Sequence, residues 1–429
     1  MQNKDLRVLV VGGGGREHAL AWKISRSPRV SKVFCAPGNA GTASVAENLP
    51  VKASDLKGIT SACREHNIHL VVVGPESPLI AGLADMLEAE GIPVFGPSAS
   101  AARLEGSKVF TKELLESYGI PTAGFRVFDD PTKACMAARH HFCCDGSPLV
   151  IKADGEAAGK GVIIAEDETE AVQAIDSIMV KRIFGESGSR VVLEDYLEGE
   201  EASIMAVVDG ECVKGLLPAQ DYKRALDRDE GPNTGGMGCY SPVPAVTQEI
   251  YNFTIEQIIK PTIAALAEKG IRYRGVLYAG IMITADGVKL LEYNCRFGDP
   301  ETQVVLPLME TDLVDVMEAT VEGRLDEITL KWYNKKAVCV VMASGGYPGD
   351  YEIGKPIRGI AEAEAEGALV FHAGTAVRDG VLVTSGGRVL GVTALGSNFS
   401  EAVKNAYRAV GFIEFEGMHF RKDIGARVL

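Results

Sequence analysis

Through the first hundred residues, apolar runs of strand length alternate with stretches whose apolar positions recur at helical spacing. "RVLVV" at 7–11, "KVFCA" at 32–36, "LVVVG" at 70–74 and "PVFG" at 93–96 read as strands, and helices are predicted from Arg16, near Asp55 to His66, and from Pro78. Strands separated by helices in this rhythm build βαβ units, so a parallel sheet is expected. The next segment opens with the helical pattern "LEGSKVFTKELLESYGIP", which stops at Gly119 with Pro121 just behind it. "PLVIKADGEAAGKGVIIA", "RVVLEDYL" and "EASIMAVVDGECVKGLLPA" then read as strands with turns between them, an α+β pattern. After the polar loop "DYKRALDRDEGPNTGGMG" a helix is predicted from about Gln248, interrupted at Pro261, followed by the strands "GVLYAGIMIT" and "KLLEYN" joined by "ADG". New strands begin at "KKAVCVVMAS", and a last helix is expected over Ser400 to Val410.

A chain of 429 residues exceeds one ordinary core, so several domains are expected. With 46% hydrophobic and 24% charged residues and 48 glycines the composition is globular and rich in tight turns. The net charge of −14 sets the overall field against nucleic acid and anionic membranes. No apolar run approaches the ~18 residues of a membrane span, and the N-terminus lacks an export cleavage site. Nine cysteines without a CxxC pair point to reduced thiols and a cytoplasmic setting. "HHFCC" at 140–144 packs its ligand types too closely to close a tetrahedral shell, and His66 and His69 fall at a helix-to-strand boundary; both read as structural.

The glycines in "VLVVGGGGREHALAW" invite a dinucleotide reading that fails on two counts. Counting from Gly13 and Gly15 puts His18 where the third glycine belongs, and the second strand ends in Cys35 and Ala36 instead of the acid that binds ribose. What survives is a glycine turn opening onto a helix N-terminus, able to hold one phosphate through Gly13, Gly14 and Gly15 with Arg16 as a charged contact. A plain tight turn is the alternative for this segment.

"IKADGEAAGKGVIIA" lacks both the spacing and the Ser or Thr of a phosphate loop, and strand residues follow it, so it reads as a turn between strands able to fold over a triphosphate, with an ordinary hairpin as the alternative. Lys152 and Lys160 can reach phosphates from it. Alternation in "LLEYNCRFGDPE" puts Glu292 and Asn294 on one strand face, a magnesium half-site of hard oxygen ligands, with Arg296 facing the same zone to stabilise a transferring phosphoryl group. A solvated strand face is the bland alternative.

Lys108, Lys152, the loop 154–161, "LEDYL" and "LLEYN" together resemble an ATP-grasp ligase. "GGGGREHAL", "APGNAGT", "VVGPESPL", "FGPSASAARLEGSKVFTK", "GPNTGGMGCYSP", "EYNCRFGDPETQ", "ASGGYPGDY", "FHAGT" and "TSGGRVLGVTALG" extend the match, in order, to the phosphoribosylamine-glycine ligase family over nearly the whole chain. The resemblance implies an α/β and α+β multidomain fold: an N-terminal parallel-sheet domain over 1–102 that binds phosphoribosylamine, an ATP-grasp domain over 103–330 with a mobile lid at about 123–193, and a C-terminal α/β domain over 331–429. It implies that glycine, ATP and 5-phosphoribosylamine give glycinamide ribonucleotide, ADP and phosphate through glycyl phosphate, with Mg²⁺, or Mn²⁺ in its place.

Carried onto this sequence, the resemblance assigns Lys108 and Lys152 to the phosphates and Gly155, Gly159, Lys160 and Gly161 to the lid loop. Glu194 is expected near the adenine amino group, the backbone of Asp195 to Leu197 along the ring edge, and Glu201 at the ribose hydroxyls. Glu292 and Asn294 are the expected magnesium ligands, and Asp221, with Arg296 near it, is expected to orient glycine. Gly13, Gly14, Gly15 and Arg16, with Gly38, Asn39, Ala40, Gly41 and Thr42, are expected to hold phosphoribosylamine. No nucleic-acid or membrane partner is expected, only a transient contact with the enzyme supplying the unstable amine, and no further catalytic domain follows the third.

The lid departs from the family pattern in carrying Glu156, and "GVLYAGIMIT" lacks the extra acid found in many other ATP-grasp enzymes, an absence that this family shares. A sister ligase using another carboxylate, a nicotinamide enzyme built on the first glycine loop, and a non-catalytic nucleotide sensor are the competing classes.

Overall fold

The computed structural model describes residues 5–155 and 161–429. Its N-terminal unit is a five-stranded sheet in the order Glu47–Asn48, Val30–Pro37, Leu6–Gly12, Leu70–Val73, Val94–Phe95, every pair parallel. Helices Gly15–Ser25, Leu56–Glu65 and Leu83–Ala89 connect the strands. Sheet residues alternate between two cores: Leu9, Val11, Phe34 and Val71 belong to one, Val8, Val10, Val33 and Val72 to the other. Both faces of the sheet are therefore covered, as parallel strands require. The helix expected from Pro78 is two helices, Glu76–Ile80 and Leu83–Ala89, because Gly82 between them takes a left-handed conformation at φ +88°.

The same two cores continue into a four-stranded antiparallel sheet ordered Val213–Gly215, Glu200–Val208, Gly275–Thr284, Gly287–Asn294. Ile204, Ala206 and Leu277 join the first core and Met205, Val207 and Val276 the second, so the N-terminal sheet and this central sheet form one body. The helix over Gln248–Glu268 is continuous, correcting the expected break at Pro261. A π-helical turn at Thr254–Ile259 comes just before the proline and accommodates its missing N–H.

A second antiparallel sheet, Phe125–Phe128, Val191–Asp195, Leu149–Ala153, Val162–Ala165, carries helices Pro131–Cys144 and Glu168–Ile175 and has a core of its own built on Ala138, Ile151, Ala171, Ile175 and Leu193. Asp154 ties this unit to the rest. Its Oδ1 accepts from Ser107 Oγ (2.8 Å) and from the Val109 N–H (2.9 Å) at the start of helix Lys108–Ser117, while Oδ2 takes Arg190 Nη2 at 2.6 Å.

The last sheet has six strands. Leu369–His372, Arg388–Gly396 and Lys336–Ser344 run on into Gly238–Ser241 and Gln220–Asp221, and Met418–His419 pairs on the side with Lys336–Ser344. Two of its strands thus come from well before residue 331. Helix Phe399–Val410, capped by Asn398 Oδ1 on the Glu401 N–H at 2.9 Å, covers it with Ala402, Ala406 and Val410. Among the described residues no helix is long and apolar enough to cross a membrane.

Asp154→Ala removes one carboxylate from a buried group of donors, so the unfolding free energy is expected to fall by about 2–3 kcal/mol. Urea unfolding followed by circular dichroism measures it.

Candidate active site

The glycine turn after Leu6–Gly12 is shaped from inside by Glu17. Its Oε2 accepts from the Gly14 N–H at 2.6 Å and its Oε1 from Arg16 Nε at 2.6 Å. A Cβ on Gly74 would lie 2.1 Å from Oε1, and one on Gly12 would lie 2.5 Å from Cγ, so only glycine leaves room for this carboxylate. Arg16 is 7% exposed and also donates to Phe297 O at 3.2 Å. The guanidinium expected as a charged phosphate contact is thus held between domains and paired with Glu17. The Gly14 N–H is likewise taken, leaving Gly13, Gly15 and the remaining first-turn amides for an anion.

The loop Gly38–Thr42 lies against this turn. Asn39 Nδ2 donates to Gly13 O (2.9 Å) and His372 O (2.7 Å), and its Oδ1 accepts from the Gly41 and Thr42 N–H groups at 2.8 and 2.9 Å. Asn39 therefore shapes the loop, and Ala40 projects beside it. Close by, Asp299 accepts from Gln303 Nε2 at 2.7 Å and pairs with Arg388 at 3.3 Å, while Gln303 Oε1 is buried with no partner among the described residues. Burial would raise the Asp299 carboxyl, but Arg388 and Arg16 hold it below its ordinary value. Sequence reasoning assigned no role to Asp299, Gln303 or Arg388, although all three lie within the quoted motifs "GDPETQ" and "TSGGRVLGV".

Lys108 and Lys152 converge from opposite sides of the cleft. Lys152, 6% exposed, donates from Nζ to Glu194 Oε2 at 2.9 Å and to Leu291 O at 3.3 Å. Lys112, which the sequence reading missed, donates to the same Oε2 at 2.9 Å and to Thr122 Oγ1 at 2.7 Å. Burial lowers its ammonium to about 8 even with Glu194 opposing. Glu194 Oε1 is buried with no hydrogen-bond partner among the described residues. That leaves one fixed acceptor in the cleft, which an amino group could satisfy. Of the expected backbone edge, the Asp195 N–H is already given to Gly124 O at 2.9 Å, leaving the segment through Leu197. Gly155 accepts from Lys108 Nζ at 3.4 Å, and Gly161 O accepts from the Ala153 N–H at 2.9 Å. Gly159 and Lys160, with Glu156, lie outside the described residues.

Glu292 and Asn294 share a face by alternation, but which face that is depends on a bulge that alternation misses. The register with Gly275–Thr284 pairs Glu292 with Gly280 but Leu290 with Ile281, so Leu291 is bulged out. Without that bulge Glu292 would follow Val288 and Leu290 into the core. Burial would raise the Glu292 carboxyl, yet Lys223, Lys152, Lys108 and Arg296 hold it below its ordinary value. Burial lowers the Lys108 ammonium in turn, against the attraction of Glu292.

Arg296, the cation expected at the transferring phosphoryl group, is already paired. Nε pairs with Glu76 at 3.1 Å, Nη2 with Glu105 at 2.9 Å and with Asn294 Oδ1 at 3.0 Å. Its one hydrogen bond to the Glu292–Asn294 pair is the one to Asn294, and its charge also acts on Glu292. The cation facing Asp221 is Lys223 rather than Arg296. Lys223 Nζ also pairs with Glu201 at 2.7 Å, so Glu201 is engaged at the place expected for a ribose. Burial raises the Asp221 carboxyl to about 7, with Lys223 opposing and Glu301 and Glu201 adding to the rise. Glu301 accepts from Tyr278 OH at 3.0 Å behind it. Among the described residues no group of three or more His, Cys, Asp or Glu is arranged to hold a metal, so Glu292 and Asn294 form at most a half-site that phosphate oxygens would complete.

This chain matches the N domain (6–105), ATP-grasp (A) domain (106–302) and C domain (337–427) of phosphoribosylglycinamide synthetase, in that order. It is 49% identical over 421 residues, 98% of this chain and 100% of the relative, to phosphoribosylamine--glycine ligase of Caldanaerobacter subterraneus subsp. tengcongensis. To the ligase of the same name from Synechocystis sp. it is 50% identical over 428 residues, 99% of this chain and 100% of that one. The crystal structure of phosphoribosylamine--glycine ligase from Thermotoga maritima superimposes with a TM-score of 0.85 at 36% identity, covering 98% of this chain and 100% of that one. With a glycine turn, a lysine-lined cleft and an acid–amide half-site in one fold, and near-complete coverage by these relatives, the chain belongs to the phosphoribosylamine-glycine ligase family.

Proposed function

We propose that this protein is an ATP-dependent ligase that joins glycine to 5-phosphoribosylamine, giving glycinamide ribonucleotide, ADP and phosphate in purine biosynthesis. A half-buried carboxylate, Glu292, in the field of Lys108, Lys152, Lys223 and Arg296, supports this most strongly. Such a cluster concentrates positive charge where a triphosphate would lie, and loose phosphoryl transfer asks little more of a protein than positioning and charge neutralisation.

Residues 1–102 hold the amine substrate, residues 103–330, with the lid at 123–193, hold ATP, and residues 331–429 brace the site. Lys108 and Lys152 contact phosphates. Glu194 accepts the adenine amino group on Oε1, the edge of Tyr196 to Leu197 faces the ring, and Glu201 turns from Lys223 to the ribose. Glycine lies with its ammonium toward Asp221 and its carboxylate toward Lys223. An oxygen of that carboxylate attacks the γ-phosphorus and ADP leaves. The sugar amine, held at Gly13, Gly15, the loop Gly38–Thr42 and Asp299, then attacks the glycyl carbonyl and phosphate departs. Glu292 and Asn294 would hold Mg²⁺, or Mn²⁺ in its place, whose chemistry is to neutralise charge on the phosphate oxygens. Arg296 acts on that half-site through its hydrogen bond to Asn294 and its charge on Glu292. The nine cysteines suit a cytoplasmic setting, and the unstable amine calls for a transient contact with the enzyme that makes it.

Phosphate release from ATP is expected to require glycine and freshly generated phosphoribosylamine together, and Glu292→Ala is expected to lower kcat/KM by about 100-fold or more. Release with another carboxylate in place of glycine would reassign the substrate.

A carboxyl raised to about 7 is protonated below that pH and charged above it. If it binds the glycine ammonium, kcat/KM for glycine rises as pH passes through about 7 and levels off above it. Asp221→Asn is expected to abolish that limb, read from pH–rate profiles of the two proteins.

A further inference from the structure

Asp221 and Lys223 face the reaction cleft, and the residue between them points the other way. Tyr222, 1% exposed, is packed in the core of the C-terminal sheet beside Tyr240 and Val338. Two guanidinium groups from the last residues of the chain lie over its ring, Arg421 with Cζ 4.7 Å and Arg427 with Cζ 4.4 Å from the centroid. The Gly425 N–H donates to Tyr222 OH at 3.0 Å.

Both arginines are in turn anchored to the loop that follows. Arg421, fully buried, donates to Arg224 O at 3.1 Å and pairs with Asp229 at 2.9 Å and Asp423 at 2.7 Å; Arg427 pairs with the other oxygen of Asp229 at 2.6 Å. His419 Nε2 bonds Ala225 O at 2.7 Å, the Lys422 N–H donates to Asp227 at 2.8 Å, and Asp423 accepts from the Arg228 N–H at 2.8 Å. The backbone on either side is also fixed: the Tyr222 N–H donates to Gly238 O at 3.0 Å, and Lys223 O accepts from the Thr234 N–H at 2.7 Å.

We infer that the C-terminal segment 419–427 is a positioning element of the ligase site: Arg421 and Arg427 clamp Tyr222 from behind and so set where Asp221 and Lys223 stand. A desolvated aromatic ring is a strong seat for a cation, and two cations sharing one aspartate fix both at once. Because neighbouring residues of an extended segment point to opposite faces, holding Tyr222 holds the residues on both sides of it. Neither arginine touches substrate in this arrangement. The inference rests on the assignment of Asp221 and Lys223 to glycine made under Proposed function.

Arg427→Gln, Arg427→Lys and Arg421→Lys separate the clamp from that assignment. Arg427 is the gentler site because its side chain is 36% exposed. In Arg427→Gln the amides of Tyr222 and Thr234 are expected to exchange hydrogen about tenfold faster. In the same variant kcat/KM for glycine is expected to fall about tenfold or more, as small misplacements of reacting groups do. Arg427→Lys, which keeps the charge, is expected to recover most of both effects. Wild-type exchange in Arg427→Gln and Arg421→Lys would overturn the clamp, and faster exchange with unchanged glycine kinetics would overturn its positioning role. A wild-type protein without glycine-dependent ATP turnover would instead sink the ligase assignment, and with it the positioning role, leaving the exchange data to decide the clamp alone.

Discussion

Of the four cations that meet around Glu292, three have a second carboxylate anchor, which is what lets them share so small a volume. Lys152 has Glu194, Lys223 has Glu201, and Arg296 has Glu76 and Glu105. These anchors come from different parts of the chain: the antiparallel unit around Leu149–Ala153, the central sheet, and the helices that follow the N-terminal strands. A pair as deeply buried as Lys152–Glu194 adds little net stability, since removing charges from water offsets most of its attraction, but losing one partner leaves a buried charge and costs about 3–5 kcal/mol; the half-exposed Lys223–Glu201 pair is screened by solvent and counts for far less. Assembling the charge cluster and assembling the domains are therefore the same event. The result is a set of cations already fixed in place, which is what electrostatic stabilisation of phosphoryl transfer requires.

The same logic explains where the molecule is continuous and where it is divided. The N-terminal parallel sheet and the central sheet share two cores, so the glycine turn after Leu6–Gly12 and the Glu292–Asn294 pair are carried on one packed body. The unit carrying Lys152 and Glu194 has its own core and is joined through polar contacts at Asp154, Lys112 and Glu194. A unit attached by hydrogen bonds and ion pairs can shift as a body at smaller cost than one attached by shared packing. The C-terminal sheet takes in Gln220–Asp221 and Gly238–Ser241, so the segment bearing Asp221 pairs with Gly238–Ser241 and through it joins Lys336–Ser344, more than a hundred residues later.

The residue types of the chemistry were readable in the sequence, but their states were not. Glu292 and Asn294 are picked out by hard-ligand chemistry at a strand's end, yet the Leu291 bulge that brings Glu292 out of the core depends on pairing with Gly280 and Ile281. Arg16 and Arg296 are legible as cations of the site, but it is not legible that the fold pairs both with carboxylates, Arg296 with one 220 positions away. Nothing in the sequence singles out Lys112, which the fold sets against Glu194. Pro261 read as a helix break because a local rule for proline cannot anticipate the π-turn before it.

By itself the sequence determined what short-range physics controls. The alternation of apolar strands and amphipathic helices gave the parallel N-terminal unit, the glycines after Val11 gave the turn into a helix, and the ordered motifs gave the family. Only the tertiary structure decided which charge faces which, and so which lysine is held near neutrality, which carboxyl is pushed up to about 7 and which arginine is already engaged. The reason is that those properties depend on distance and burial in three dimensions. The groups that set them lie tens to hundreds of residues apart along the chain, where no local pattern carries the information.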